Sequence, residues 1–205
     1  FNKNTPLRSD RSKVIDLLKR GARLAVNRNR LDGFKELGMD PDLETEEAIS
    51  RASVVIDCTP SGIGHKNKEN YYSKFADSVK GFMAQGSEDG FGVKYARGIN
   101  DAILKECENQ FIQVVSCNTH NISCITNTIA IDGYGPDNLI EGRYVCIRRA
   151  NDTSQEGNFI PAPLVGSHSD SVFGSHHAKD SSELFSTLGY DLNLFSSAMK
   201  VNSQY

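Results

Sequence analysis

Phe111-Ile112-Gln113-Val114-Val115-Ser116-Cys117-Asn118-Thr119 reads as a short apolar strand that stops at a cysteine and opens a helix. Ile112, Val114 and Val115 are β-branched and suit a buried strand. Ser116 has the chemistry of an N-cap, and Asn118 and Thr119 suit a first helical turn. A cysteine there sits over unpaired backbone N–H groups at the positive end of the helix dipole. Both favour the thiolate, which is the nucleophile. A lone cysteine at a strand end is more often buried and inert. The polar Ser-Cys-Asn-Thr run argues against that here, because a core cysteine needs no polar neighbours on both sides.

Outward from this stretch the chain alternates strands and helices. Upstream, Ser53-Val54-Val55-Ile56-Asp57 is a near-continuous apolar run, as expected of a parallel strand covered on both faces. Lys80 to Ala84 reads as another strand. Helical spacing is seen over residues 10–20, 29–37, 45–51, 66–76 and 99–107, with Gly21 and Gly38 as stops. Residues 1–6 look like a strand end running into a loop, and residues 23–26 like a short strand. This rhythm predicts an open, mostly parallel α/β sheet, whose ligands sit at the carboxyl ends of the strands. Three polar exit turns would gather there: Thr59-Pro60-Ser61, Gln85-Gly86-Ser87 and Ser116-Cys117-Asn118. Each of the first two alone is ordinary turn chemistry; three on one edge with a cysteine point to a site.

Past Cys117 the texture changes. A helix continues to residue 131, and residues 143–149 alternate like a strand of a mixed sheet ending in Arg148-Arg149. Residues 151–189 read as one long Ser/Gly/Pro-rich loop containing Ser175-His176-His177-Ala178-Lys179-Asp180, and residues 191–195 as a strand. The expected organisation is a partial Rossmann-like dinucleotide-binding domain over residues 1–115, lacking its first strand and glycine loop, and part of an α+β catalytic domain with a mixed sheet over residues 116–205.

Composition narrows the function. The chain has 205 residues, is 38% hydrophobic and carries a net charge of −3, so there is no electrostatic case for nucleic acid. No apolar run approaches the roughly 20 residues of a bilayer span. Five cysteines without a CxxC pair read as reduced thiols of a cytoplasmic protein rather than a disulfide frame or a zinc site. Gly62-Ile63-Gly64 lacks a third glycine and follows a middle strand, so it fails as a pyrophosphate loop. Phe1 is not a start residue, and the simplest account places a first strand, glycine loop and helix upstream of it.

The motifs Val55-Ile56-Asp57-Cys58-Thr59-Pro60-Ser61-Gly62-Ile63-Gly64, Asn67-Lys68, Gln85-Gly86-Ser87-Glu88, Ser116-Cys117-Asn118-Thr119, Ile147-Arg148-Arg149 and Ser175-His176-His177-Ala178-Lys179-Asp180 occur in that order. In this the chain resembles the archaeal-type phosphorylating glyceraldehyde-3-phosphate dehydrogenases, from Lys3-Asn4-Thr5-Pro6 to Asp191-Leu192-Asn193-Leu194. The resemblance implies Cys117 as the nucleophile. It implies substrate contacts at Ser116, Asn118, Thr119, His177 and Ala178, and cofactor contacts at Lys3, Asn4, Thr59, Pro60, Gln85, Gly86, Ser87 and Arg149. It implies NADP or NAD as cofactor, a phosphorylated aldehyde and inorganic phosphate as partners, no metal and a homotetramer. Since residues 1–9 hold no acid but carry Lys3 and Arg8, NADP is expected to be accepted.

Three departures from the family stand out. Ser87 replaces a common Gly, and Thr119-His120-Asn121 replaces Thr-Thr-Gly. The family's catalytic histidine would lie past Tyr205, so this chain alone is expected to be inactive. An aspartate-semialdehyde-type dehydrogenase also fits a Cys-Asn pair at a helix start. A thiol hydrolase using Cys117 and a histidine, and a silent nucleotide-binding domain, are the readings outside that class.

Overall fold

The computed structural model describes residues 1–86, 88–105, 110–151 and 158–202. The chain opens with α1 (Arg11–Lys19), whose Val14 is buried and whose end is followed by Gly21 at φ +87°. β1 (Ala25–Val26) pairs in parallel with β2 (Leu43–Glu44), and Asn2 bridges Ala25 from the other side. Between them lies α2 (Leu31–Glu36), and α3 (Thr45–Ser50) follows. Val14, Leu24, Val26, Phe34 and Met39 form the core of this part.

The central sheet holds β3 (Val54–Asp57), β4 (Gly81–Gln85), β5 (Val93–Tyr95) and β6 (Phe111–Val114) in the order β3-β4-β6-β5, with every neighbouring pair parallel. α4 (Ile63–Asn70) crosses from β3 towards β4, starting earlier and ending sooner than helical spacing suggested. Rings of Tyr72, Phe82 and Phe111 stack at 5.0 Å steps, and Phe91 meets Tyr72 and Phe111 edge-on. Residues 99–107 are not an α-helix where they are described: Asp101–Leu104 is a single 3₁₀ turn, and 106–109 lie outside the described residues.

One expectation fails at β3. Val54 and Ile56 are 48% and 66% exposed, so one face of this strand is open rather than covered. Among the described residues β3 is an edge strand paired only with β4, and an apolar run does not say which neighbours are there to cover it.

The second half begins with α5 (Cys117–Thr126), which continues through a π turn at Asn127–Ile131 into α6 (Asp132–Tyr134). β7 (Gly142–Arg149), β8 (Leu164–Val165) and β9 (Leu194–Val201) form a mixed sheet in the order β7-β9-β8. β7 runs parallel to β9, and β8 antiparallel to it. The fold is thus α/β, a parallel Rossmann-like sheet followed by a mixed one. The strand expected at 191–195 is displaced towards the C-terminus. The larger correction concerns residues 151–189: His176–Ser186 is not loop but α7, eleven residues long. His177, Ala178, Ser181, Leu184 and Phe185 fall on its buried side at helical spacing, and Gly189 at φ +79° follows its end. Ala178, Phe185, Leu192 and Leu194 share one core; Leu184 joins Ala96 and Val115, so α7 packs against the parallel sheet as well. No described helix is long and apolar enough to cross a membrane.

Candidate active site

β3, β4 and β6 are adjacent and parallel, so their exits share one edge. Asp57 is level with Ala84, and Gln85 with Val114. The β4 exit and the cysteine turn touch: a Cβ on Gly86 would lie 2.4 Å from the Ser116 nitrogen and 2.7 Å from its Cα. Only glycine lets the two backbones come this close. Fully buried Gln113 steadies the same loop, donating to the Gly86 carbonyl at 3.4 Å and accepting from the Gly90 N–H at 3.1 Å. Ser87 lies outside the described residues.

At the β3 exit, the Thr59 N–H (2.8 Å) and hydroxyl donate to one Asp57 oxygen, and Asn67 (2.9 Å) and Tyr72 (2.7 Å) to the other. Burial alone would raise the Asp57 pKa; these hydrogen bonds outweigh it and hold the carboxyl below its ordinary value. The Pro60 carbonyl accepts from the Ile63 N–H at 3.1 Å. The start of α4 is filled from within: buried Glu88 accepts from the Gly62 and His65 N–H groups, and a Cβ on Gly64 would sit 2.9 Å from its oxygen. The protein's own carboxylate therefore takes the anion position at Gly62-Ile63-Gly64.

Ser116 is the N-cap of α5. Its Oγ accepts from the Thr119 N–H at 3.3 Å and shares a hydrogen bond with the buried Thr119 hydroxyl at 2.9 Å. Cys117 is the first residue of α5 and is exposed at the carboxyl edge of the sheet. His120 is tied off, its Nε2 bonded to the Arg97 carbonyl at 3.1 Å.

α7 brings the second half of the site. His177 is 3% exposed, with Nδ1 3.3 Å from Ser116 Oγ and Nε2 3.2 Å from Asn118 Nδ2. The Asn118 amide nitrogen can only donate, so Nε2 accepts and Nδ1–H faces Ser116 Oγ. The ring is therefore neutral. Burial, then the nearby His176 and Arg148, push its pKa down to about 4. One histidine thus clasps both neighbours of Cys117. Ala178 is fully buried, and its N–H donates to Ser196 Oγ at 3.1 Å, anchoring the first turn of α7 to β9.

Side-chain alternation separates the two arginines of β7. Tyr144 reaches Thr126 of α5 through its hydroxyl at 2.6 Å, so Tyr144, Cys146 and Arg148 face the helices. Arg149 falls on the opposite, open face with Arg143, Val145 and Ile147. Arg148 is the arginine that acts on His177 and on Cys146, whose thiol is pushed up by burial. A cavity of about 570 Å³ beside His177 is lined by Arg148, His168, His176, Lys179 and Lys200 among others. Its three permanent cations, Arg148, Lys179 and Lys200, outnumber the one carboxylate of the lining, Asp170, and suit a phosphorylated ligand. Alternation separates Arg148 from Arg149 but does not tell which faces the helices, because the apolar Val145 and Ile147 lie on the exposed face; Lys179 and Lys200 depend on α7 and β9 meeting.

Lys3 pairs with Asp10 at 2.7 Å, and Asn4 Oδ1 accepts from the Asn27 N–H at 2.7 Å; the preceding Phe1 and Asn2 line a cavity with Cys58 and Thr59 of the β3 exit. The acidic trio Asp89, Asp180 and Glu183 has metal-like spacing, but the Lys94 ammonium sits among its oxygens.

No family model matches the chain. It is 31% identical to a protein named glyceraldehyde-3-phosphate dehydrogenase of Methanobacterium formicicum, over 94% of this chain and 57% of that one. It is likewise 31% identical to its namesake of Methanobacterium bryantii over the same shares, and 27% identical to that of Pyrobaculum arsenaticum over 82% of this chain and 46% of the relative. The chain spans about half the length of the curated relatives it matches.

Proposed function

We propose that this chain carries the cysteine-bearing core of a glyceraldehyde-3-phosphate dehydrogenase of the archaeal type, an oxidoreductase of central carbon metabolism. The observation that carries the reading is Cys117: exposed, at the start of a helix, on the carboxyl edge of a parallel sheet, with both neighbours held by His177. In the proposed reaction the Cys117 sulfur attacks the aldehyde carbon and a C–S bond forms. The oxygen that gains charge faces the N–H groups at the start of α5. Loss of hydride from that carbon to the dinucleotide, as the charged oxygen re-forms the carbonyl, leaves a thioester. An oxygen of inorganic phosphate then attacks the carbonyl, the C–S bond breaks, and the sulfur leaves as thiolate. The products are 1,3-bisphosphoglycerate and the reduced cofactor.

A bound nicotinamide dinucleotide supplies the hydride acceptor. Thr59, Pro60, Gln85 and Gly86 fit it, because they follow the adjacent parallel strands β3 and β4 on the edge that carries Cys117. NADP is the proposed preference. Residues 1–9 carry Lys3 and the exposed Arg8 and no acid, although Asp10 already pairs with Lys3. The cavity bounded by Arg148, Lys179 and Lys200 would take the substrate phosphate. His177 orients Ser116 and Asn118 rather than moving the proton: with a pKa of about 4 it is a weak base at pH 7. The open face of the mixed sheet, with Val145, Ile147 and Val165 each about two-thirds exposed, supports association with further copies.

The test is protection of the sulfur. Cys117 is alkylated with iodoacetamide and followed by peptide mass spectrometry. D-Glyceraldehyde 3-phosphate should protect it at lower concentration than aspartate semialdehyde, and NADP should bind at least as tightly as NAD. Equal or absent protection by the two aldehydes would overturn the substrate.

A further inference from the structure

We propose that Lys94 is a positioning residue for the Cys117 site: its ammonium, held by Asp180, Asp89 and Glu183, sets α7 so that His177 lands on Ser116 and Asn118. Lys94 Nζ lies 2.7 Å from Asp89, 2.7 Å from Asp180 and 3.1 Å from Glu183. The side chains of Lys94 and Asp180 are 7% and 5% exposed. The three carboxylates have the spacing of a cation site, and the lysine stands where the ion would be. Three donors of one ammonium meet three acceptors, so the group has one satisfied arrangement.

Two independent links tie this cluster to the nucleophile. Lys94 lies on β5 opposite Gln113 of β6, and the Val115 N–H donates to the Tyr95 carbonyl at 3.0 Å. β6 runs straight into Ser116 and Cys117. On the other side, Asp180 follows His177 by three positions on α7, so both face the same way. The strand pair β5–β6 thus carries Cys117 at its exit and grips α7 through a buried ion pair. The other polar anchors of α7 carry no charge: the Ala178 N–H donates to Ser196 Oγ at 3.1 Å and the Ser182 hydroxyl to the Leu192 carbonyl at 3.2 Å. Ser123 and Ser181 share a hydroxyl–hydroxyl bond at 2.8 Å, in which either oxygen donates, and Asn100 reaches Thr187 at the far end at 2.9 Å. Burial alone would lower the Lys94 pKa; Asp180, Asp89 and Glu183 outweigh it and raise it, so the charge is constant through the neutral range.

The experiment compares the wild-type chain, Lys94→Met, and Lys94→Met/Asp180→Asn, in which no unpaired buried carboxylate is left behind. The first readout is the NMR titration of His177, whose charged and polar neighbours are His176, Arg148, Ser116 and Asn118. Its midpoint should move from about 4 towards the ordinary 6.5 as the ring loses its buried seat. The second rests on the proposed substrate: the concentration of glyceraldehyde 3-phosphate that half-protects Cys117 should rise by about tenfold, equivalent to about 1.4 kcal/mol. If the wild type shows no protection, the substrate reading fails while the titration still decides the role of Lys94. A His177 midpoint unchanged in a folded variant overturns the proposal. Failure of both variants to fold overturns it too, because the cluster would then hold the whole fold and not one helix.

Discussion

Cys117 depends on what its two neighbours do. Ser116 caps α5 and accepts from the Thr119 N–H, so Ser116→Ala should cost about 1 kcal/mol in urea unfolding. It should also free the His177 ring from one partner. His177 itself makes a signed prediction. Its folded pKa of about 4 lies below the ordinary 6.5 of an unfolded chain. Above pH 6.5 neither state binds the proton, and stability is complete in this respect. As pH falls through 6.5 the unfolded chain takes up a proton that the folded chain refuses, and stability drains away until about pH 4. His177→Gln removes this loss. Between pH 7 and pH 4.5 the wild type should lose about 2–3 kcal/mol more than the variant, read from urea midpoints at the two pH values.

Among the elements, the exit of β4 and the start of α5 are the tightest pair. Gly86→Ala would place a methyl group against the Ser116 backbone, which has no side-chain freedom with which to yield. The expected cost is about 1–3 kcal/mol of stability, together with weaker protection of Cys117 by glyceraldehyde 3-phosphate. A control Gly133→Ala, where a Cβ meets nothing, should leave protection unchanged. α7 and β7 show the opposite relation between pattern and structure. The apolar spacing of α7 is interrupted by His177, Asp180 and Ser181, which read as loop polarity although all three are buried. In β7 the alternation was plain, yet its apolar members Val145 and Ile147 lie on the exposed face, so the pattern does not say which arginine faces the helices.

At the scale of the whole molecule, two cores share α7. Phe185 is fully buried with Ala178, Leu192 and Leu194. Phe185→Ala should therefore cost about 3–5 kcal/mol in thermal or urea unfolding. The outer face of the mixed sheet is a separate matter. Val145→Lys with Ile147→Lys should leave the unfolding midpoint within about 0.5 kcal/mol while lowering the mass measured by light scattering. An unchanged mass would mean that this face is not where copies meet.

The run from Phe111 to Thr119 was enough to place a strand, a cap and an exposed cysteine, because those choices are local. Backbone propensity, an N-cap hydroxyl and β-branched residues act over a few positions. The parallel sheet and its gathered exits followed from the strand–helix rhythm for the same reason. The open face of β3, the helix hidden in residues 176–186, the choice between Arg148 and Arg149, and the Lys94 cluster did not follow. Each depends on which distant side chain arrives to satisfy a charge or cover a surface. Asp180 reads as a surface acid until Lys94, eighty-six positions away, is brought beside it in the interior.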